Sequence, residues 1–154
     1  MDKYFYSYEE FTKDIPLLAK KIKELNPDAI VAVARGGMTI AHFLGENLNI
    51  RDVYTINAIH YEDTQKLDFI KLFNFPDLKD KKRIVLVDDI SDSGDTLEAI
   101  IERLKKDYPN LDTKVATIFY KENSKVKPDI CIKKTDKWIV FFWDNEGQKL
   151  KEQK

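Results

Sequence analysis

Residues 84 to 87, Ile-Val-Leu-Val, form an uninterrupted apolar run that ends in two adjacent carboxylates, Asp88 and Asp89. Without polar alternation, such a run reads as a strand buried on both faces. A sheet covered on both faces is a mainly parallel sheet between helices, so this stretch narrows the fold sharply. Ile90-Ser91-Asp92-Ser93-Gly94-Asp95 follows as a short, mostly polar loop with one glycine, and a helical pattern starts at Thr96. In an open α/β sheet, ligands bind at the carboxyl ends of the strands. The N–H groups that open a helix form an anion site. One stretch therefore offers carboxylates for hydroxyls or a metal, and a cradle for a phosphate.

The rest of the chain repeats the same alternation. Ser7-Tyr8-Glu9-Glu10 is a capping-box pattern, with Tyr6 and Phe11 spaced as a hydrophobic staple. Phe11, Ile15, Leu18, Ala19, Ile22 and Leu25 continue at helical spacing, and Pro16 predicts a kink or a restart near Asp14. Ala29 to Ala34 is a second buried-strand run, ending in Arg35-Gly36-Gly37. Two glycines let a polyanion come close to the backbone, and arginine binds phosphate oxygens bidentately. A tight turn with a surface arginine accounts for the same three residues. Met38 to Asn47 reads as a helix, with His42 as a packing or surface residue, and Val53 to His60 as a third strand. Residues 61 to 82 lose regularity, as either a mobile functional loop or an exposed hairpin. Val115 to Tyr120 is another strand, with Lys121 at its carboxyl end. Trp138 to Trp143 is aromatic and apolar, a composition typical of core, and Gln148 to Lys154 reads as a frayed charged tail.

The 154 residues fit a single domain spanning the chain. A net charge of −1 gives no bulk pull toward nucleic acid or an anionic membrane, so neither is expected as a partner. The single Cys131 excludes an internal disulfide. No apolar run reaches the length of a membrane span, and Met1-Asp2-Lys3-Tyr4 does not open a signal peptide. A reducing, cytoplasmic location is expected.

Asp88-Asp89-Ile90-Ser91-Asp92-Ser93-Gly94-Asp95-Thr96 resembles the phosphoribosyl-diphosphate (PRPP) signature of the type I phosphoribosyltransferases, in their 6-oxopurine branch. It departs at Ser93, where threonine is usual, and at Asp95, which sets a negative charge near the expected phosphate. Arg35-Gly36-Gly37 resembles the family's pyrophosphate loop. Lys121 after its strand, and Trp138 six residues before Asp144, resemble the xanthine-guanine group of that branch.

The resemblance implies a mainly parallel α/β sheet flanked by helices, with a small carboxyl-terminal hood near residues 126–145. It also implies a flexible loop near 61–82 and a cis Ala34–Arg35 bond. The implied activity is transfer of phosphoribose from PRPP to N9 of guanine, xanthine or hypoxanthine. Arg35, Gly36 and Gly37 would hold the pyrophosphate, and Asp88 and Asp89 the ribose hydroxyls. Asp92, Ser93, Gly94, Asp95 and Thr96 would hold the 5-phosphate, with Asp92 also the base toward N7. Lys121 would meet O6, Trp138 would stack on the purine, and the Ile139 backbone would face its 2-position. Mg2+ is the implied cofactor, with Asp89 and Asp144 as its ligands. A homo-oligomer, dimer or tetramer, is implied too. The alternatives are a regulatory or RNA-binding nucleotide sensor on the same fold, or a phosphoribosyltransferase for another base.

Overall fold

The computed structural model describes residues 1–61 and 69–152. Strand β1 (Lys3–Tyr6) leads into helix α1 (Tyr8–Lys23), then β2 (Ala29–Ala34), α2 (Met38–Leu48), β3 (Val53–Tyr61) and β4 (Phe69–Phe73). β5 (Arg83–Ser91), α3 (Asp95–Asp107), β6 (Asp112–Tyr120), β7 (Ile130–Lys134), β8 (Trp138–Phe141) and α4 (Asn145–Glu152) complete the chain. The main sheet has the order β4-β3-β2-β5-β6-β7 and is parallel except for β4, which runs antiparallel to β3. β1 and β8 form a separate parallel pair.

The uninterrupted runs are explained by two cores. Ile30, Ala32, Val85 and Val87 face one way and are covered by Phe11, Ile15, Leu18 and Ile22 of α1 and by Ile40 and Leu44 of α2. Val31, Val33, Ile84 and Leu86 face the other way, under Leu97, Ile100 and Leu104 of α3 and under Leu78. With both faces covered, every position of β2 and β5 that lies in these layers must be apolar.

α1 opens with the capping box: Glu10 N–H donates to Ser7 Oγ at 3.1 Å, and Ser7 N–H donates to Glu10 Oε2 at 3.2 Å. The helix runs unbroken through Pro16, contrary to the expected restart. Pro16 lies on the exposed face, while Phe11, Ile15, Leu18 and Ile22 on the opposite face stay buried and hold both halves in one line.

Of the two readings of the 61–82 connection, its described part follows the hairpin: β4 pairs antiparallel with β3, Phe69 opposite Tyr61, and Leu78 beyond it is buried. Residues 62–68 of that connection lie outside the described residues. β7 joins the main sheet beside β6 rather than a hood. The small sheet is β8 together with β1, and Tyr6 and Phe141 seat it by edge-on ring contacts to Phe119 of β6. The last stretch is helical rather than frayed as far as Glu152, because Asp144 caps it.

Candidate active site

β5 continues through the carboxylates instead of stopping before them. Asp88, Ile90 and Ser91 stay in register with Thr117, Phe119 and Tyr120 of β6. Asp88 and Asp89 are half-buried at this end of the sheet. Burial holds the Asp88 carboxyl well above the usual carboxylate range, and the adjacent Asp89 adds to it. Burial likewise raises Asp89, with a further push from the charge of Asp144.

The loop after β2 lies against the same carboxylate. A Cβ on Gly36 would stand 2.5 Å from Asp89 Oδ2, so a larger residue here would push the Asp89 carboxylate aside. The Ala34–Arg35 peptide bond is cis, as the resemblance implies. Gly37 starts α2, its N–H donating to Val33 O at 2.8 Å, and no side chain caps that helix.

The loop after β5 is fixed from below. Ser91 is buried, and its hydroxyl reaches Val126 O and Ser124 Oγ, each at 2.7 Å. Gly94 has φ of +85°, a left-handed conformation, and starts α3 without a side-chain cap. A Cβ there would meet Ser124 Oγ at 2.6 Å, so packing and backbone both require glycine. Asp95 N–H donates to Ser93 Oγ at 3.2 Å, and the Asp95 carboxylate pairs with Lys125 at 2.6 Å.

Lys121 and Asp92 meet at 3.1 Å, with Lys121 largely buried and Asp92 exposed. They line a cleft of about 200 Å3 together with Asp89, Trp138, Ile139 and Asp144. Trp138 is 49% exposed, so a wide aromatic face is open to a ligand, while Ile139 is buried. Asp144 has a structural duty as well. Its carboxylate accepts Phe141 N–H at 2.9 Å and Gly147 N–H at 2.7 Å, ordering the turn from β8 into α4.

Two residues of this region carry no signal in the sequence. Lys137 lines the cleft, and Lys125 sits on the connection between β6 and β7, where it reaches Asp95 at the start of α3. Both lie in turns whose course depends on tertiary contacts, and an isolated surface-type lysine gives no periodicity to read. His42 stays on the surface, 4.0 Å from Glu46 one helical turn on.

Paired carboxylates at a strand end, two glycine-led helix starts and a cleft with a flat aromatic wall suit a phosphorylated sugar beside a planar base. The phosphoribosyl transferase domain profile matches residues 5–149, and the chain belongs to that family. Among its relatives, the xanthine-guanine phosphoribosyltransferase of Roseobacter denitrificans is 32% identical over 156 residues, covering 92% of this chain and 85% of the relative. The Helicobacter pylori xanthine-guanine-hypoxanthine phosphoribosyltransferase structure superposes with a TM-score of 0.88 at 41% identity, covering 97% of this chain and 99% of that one. A Neisseria gonorrhoeae hypothetical protein solved with bound ppGpp gives a TM-score of 0.79 at 26% identity, covering 99% and 97%.

Proposed function

We propose that the protein is a purine-salvage enzyme that transfers phosphoribose from PRPP to N9 of a 6-oxopurine and releases pyrophosphate. The observation that carries this reading is the cleft in which the Asp92–Lys121 pair faces the same space as Trp138. A 6-oxopurine presents an acceptor at O6, a proton to be lost on the imidazole edge, and two flat faces. Lys121 donates to O6 and neutralises charge gathering there. Asp92 accepts the N7 proton as general base. Trp138 stacks on the ring, and the Ile139 backbone meets the 2-position.

Bond breaking at ribose C1 puts positive character on the sugar and negative charge on the leaving group. Asp88 and Asp89 orient the 2- and 3-hydroxyls. Arg35 and the N–H groups around Gly36 and Gly37 hold the pyrophosphate in fixed positions, so little reorganisation is needed as charge develops. The backbone from Asp92 to Thr96, with the Ser93 and Thr96 hydroxyls, holds the 5-phosphate.

Mg2+ fits this donor set. Among the described residues no cluster of three His, Cys, Asp or Glu could hold an ion alone. Mg2+ is commonly held by one or two carboxylates plus substrate phosphates, which Asp89 and Asp144 match. When bound, it supplies charge neutralisation for the pyrophosphate. The family resemblance implies a homo-oligomer, dimer or tetramer, and the single cysteine fits a reducing, cytoplasmic location. Among the described residues no helix is long and apolar enough to cross a membrane.

The test is incubation with PRPP, Mg2+ and each of guanine, xanthine, hypoxanthine and adenine, followed by chromatography for the nucleotide. The 6-oxopurines should react and adenine should be rejected by about 10⁴-fold, since neither its amino group nor Lys121 can accept. Adenine as best substrate would overturn the roles of Lys121 and Asp92 together. The ppGpp in the Neisseria gonorrhoeae structure favours one second reading, a nucleotide sensor on the same fold. No nucleotide from any base, with tight ppGpp binding by calorimetry, would select it.

A further inference from the structure

Asp95 is a conflict that the proposed phosphate site must resolve. It is the first residue of α3, and its carboxylate stands beside the Ser93 hydroxyl, a group assigned to the 5-phosphate. A carboxylate there repels a phosphate dianion and competes for the same hydroxyl. We infer that Lys125 is a positioning residue for PRPP: it holds the Asp95 carboxylate and offsets its charge beside the phosphate cradle.

Lys125 is built for this task at the backbone level. Its N–H donates to Ser93 O at 2.9 Å, inside the phosphate loop itself. The preceding Ser124 and following Val126 are both tied to the buried Ser91 hydroxyl. The missing side chain of Gly94 is what lets this segment approach, since a Cβ would lie 2.8 Å from Lys125 N. The ammonium then reaches Asp95 Oδ1 at 2.6 Å. Lys125 lowers the Asp95 carboxyl below its ordinary range, ahead of the Ser93 hydroxyl, so the carboxylate is anionic and needs its partner. Glu98 also acts on Lys125, and His60 and Glu102 line the neighbouring hollow, so the ammonium is the local counterweight to an acidic helix face. An exposed ion pair of this kind contributes little to stability, so removing it leaves a folded protein in which binding can be read.

This inference rests on the reading that the loop from Asp92 to Thr96 holds the 5-phosphate. The test measures KM for PRPP and kcat with guanine and Mg2+, and calorimetric binding of ribose 5-phosphate. Lys125→Met should raise the KM for PRPP on the order of tenfold and weaken ribose 5-phosphate equally, from one uncompensated charge near a dianion. It should leave kcat unchanged. Lys125→Arg should keep the wild-type values. Asp95→Asn added to Lys125→Met should return PRPP KM toward wild type, because the repelling charge is gone. No change in Lys125→Met, or a double variant as weak as the single one, would overturn the inference. A wild-type protein that neither makes a nucleotide nor binds ribose 5-phosphate would break the proposed function instead.

Discussion

Among the described residues, the four helices begin in two different ways. α1 and α4 are closed by side chains, Ser7 with Glu10 at one and Asp144 at the other. α2 and α3 start from Gly37 and Gly94 with no side-chain cap. Every helix leaves N–H groups in its first turn without an intrahelical partner. Where the protein fills that need itself, the helix serves the scaffold, including the turn that sets Asp144. In α2 and α3 the first N–H is met within the loop, Met38 by Arg35 O and Asp95 by Ser93 Oγ, and these starts follow the ends of β2 and β5, where Asp88 and Asp89 lie. Stability and ligand binding draw on the same physical resource, and this fold divides it between different helices.

The largest expected effect tests the open end of α3. Asp92→Asn should slow transfer by about 10²–10⁴-fold, with binding of PRPP retained. Near-normal single-turnover rates would remove Asp92 from the base role. Gly94→Ala tests the glycine start itself. The left-handed backbone and the closeness of Ser124 should cost about 1–3 kcal/mol and weaken ribose 5-phosphate binding, checked by urea unfolding and calorimetry. If the variant binds normally, the shape of this helix start is not what makes the cradle. Ser7→Ala probes the opposite side of the comparison. It should lower stability by about 1 kcal/mol and leave kcat/KM for PRPP intact. A matching loss of activity would mean that the capped ends are not independent of the site.

The smallest effect sharpens the scaffold side. The Asp28 carboxylate takes the N–H groups of Lys82 and Arg83, at 2.6 and 2.9 Å, which holds its pKa below the ordinary 3.8. A lowered folded-state pKa gives stability that is present above pH 3.8 and lost as pH falls through the folded value. Asp28→Asn should therefore be less stable than wild type at pH 7, by about 1 kcal/mol. The gap should narrow on titration below pH 4. A constant gap down to pH 2.5 in thermal melts would assign the effect to packing.

How legible these features are in the sequence depends on whether their cause is local. β2 is readable with its observed bounds because every residue from Ala29 to Ala34 is buried. The α1 cap is readable because its partners stand three residues apart. β5 hides its last four residues because their strand geometry comes from β6, while their side chains are chosen for the site. β1 is invisible alone: four residues, Lys3 to Tyr6, acquire a partner only when Trp138 to Phe141 lies beside them. The cis bond and the glycine loops carry a pattern that the family resemblance supplies. Lys125 and Lys137 carry none, since only the folded turns bring them to the site.

The β1–β8 pairing also sets an order of events. Lys3 is made early and Trp138 late, yet they are neighbours in the parallel pair whose β8 strand lines the cleft. The two glycine loops follow β2 and β5, which pair with each other and both precede β8 in the chain. Contacts distant in sequence close slowly. On the proposed function, the nascent chain should therefore gain its phosphate cradle before its purine pocket.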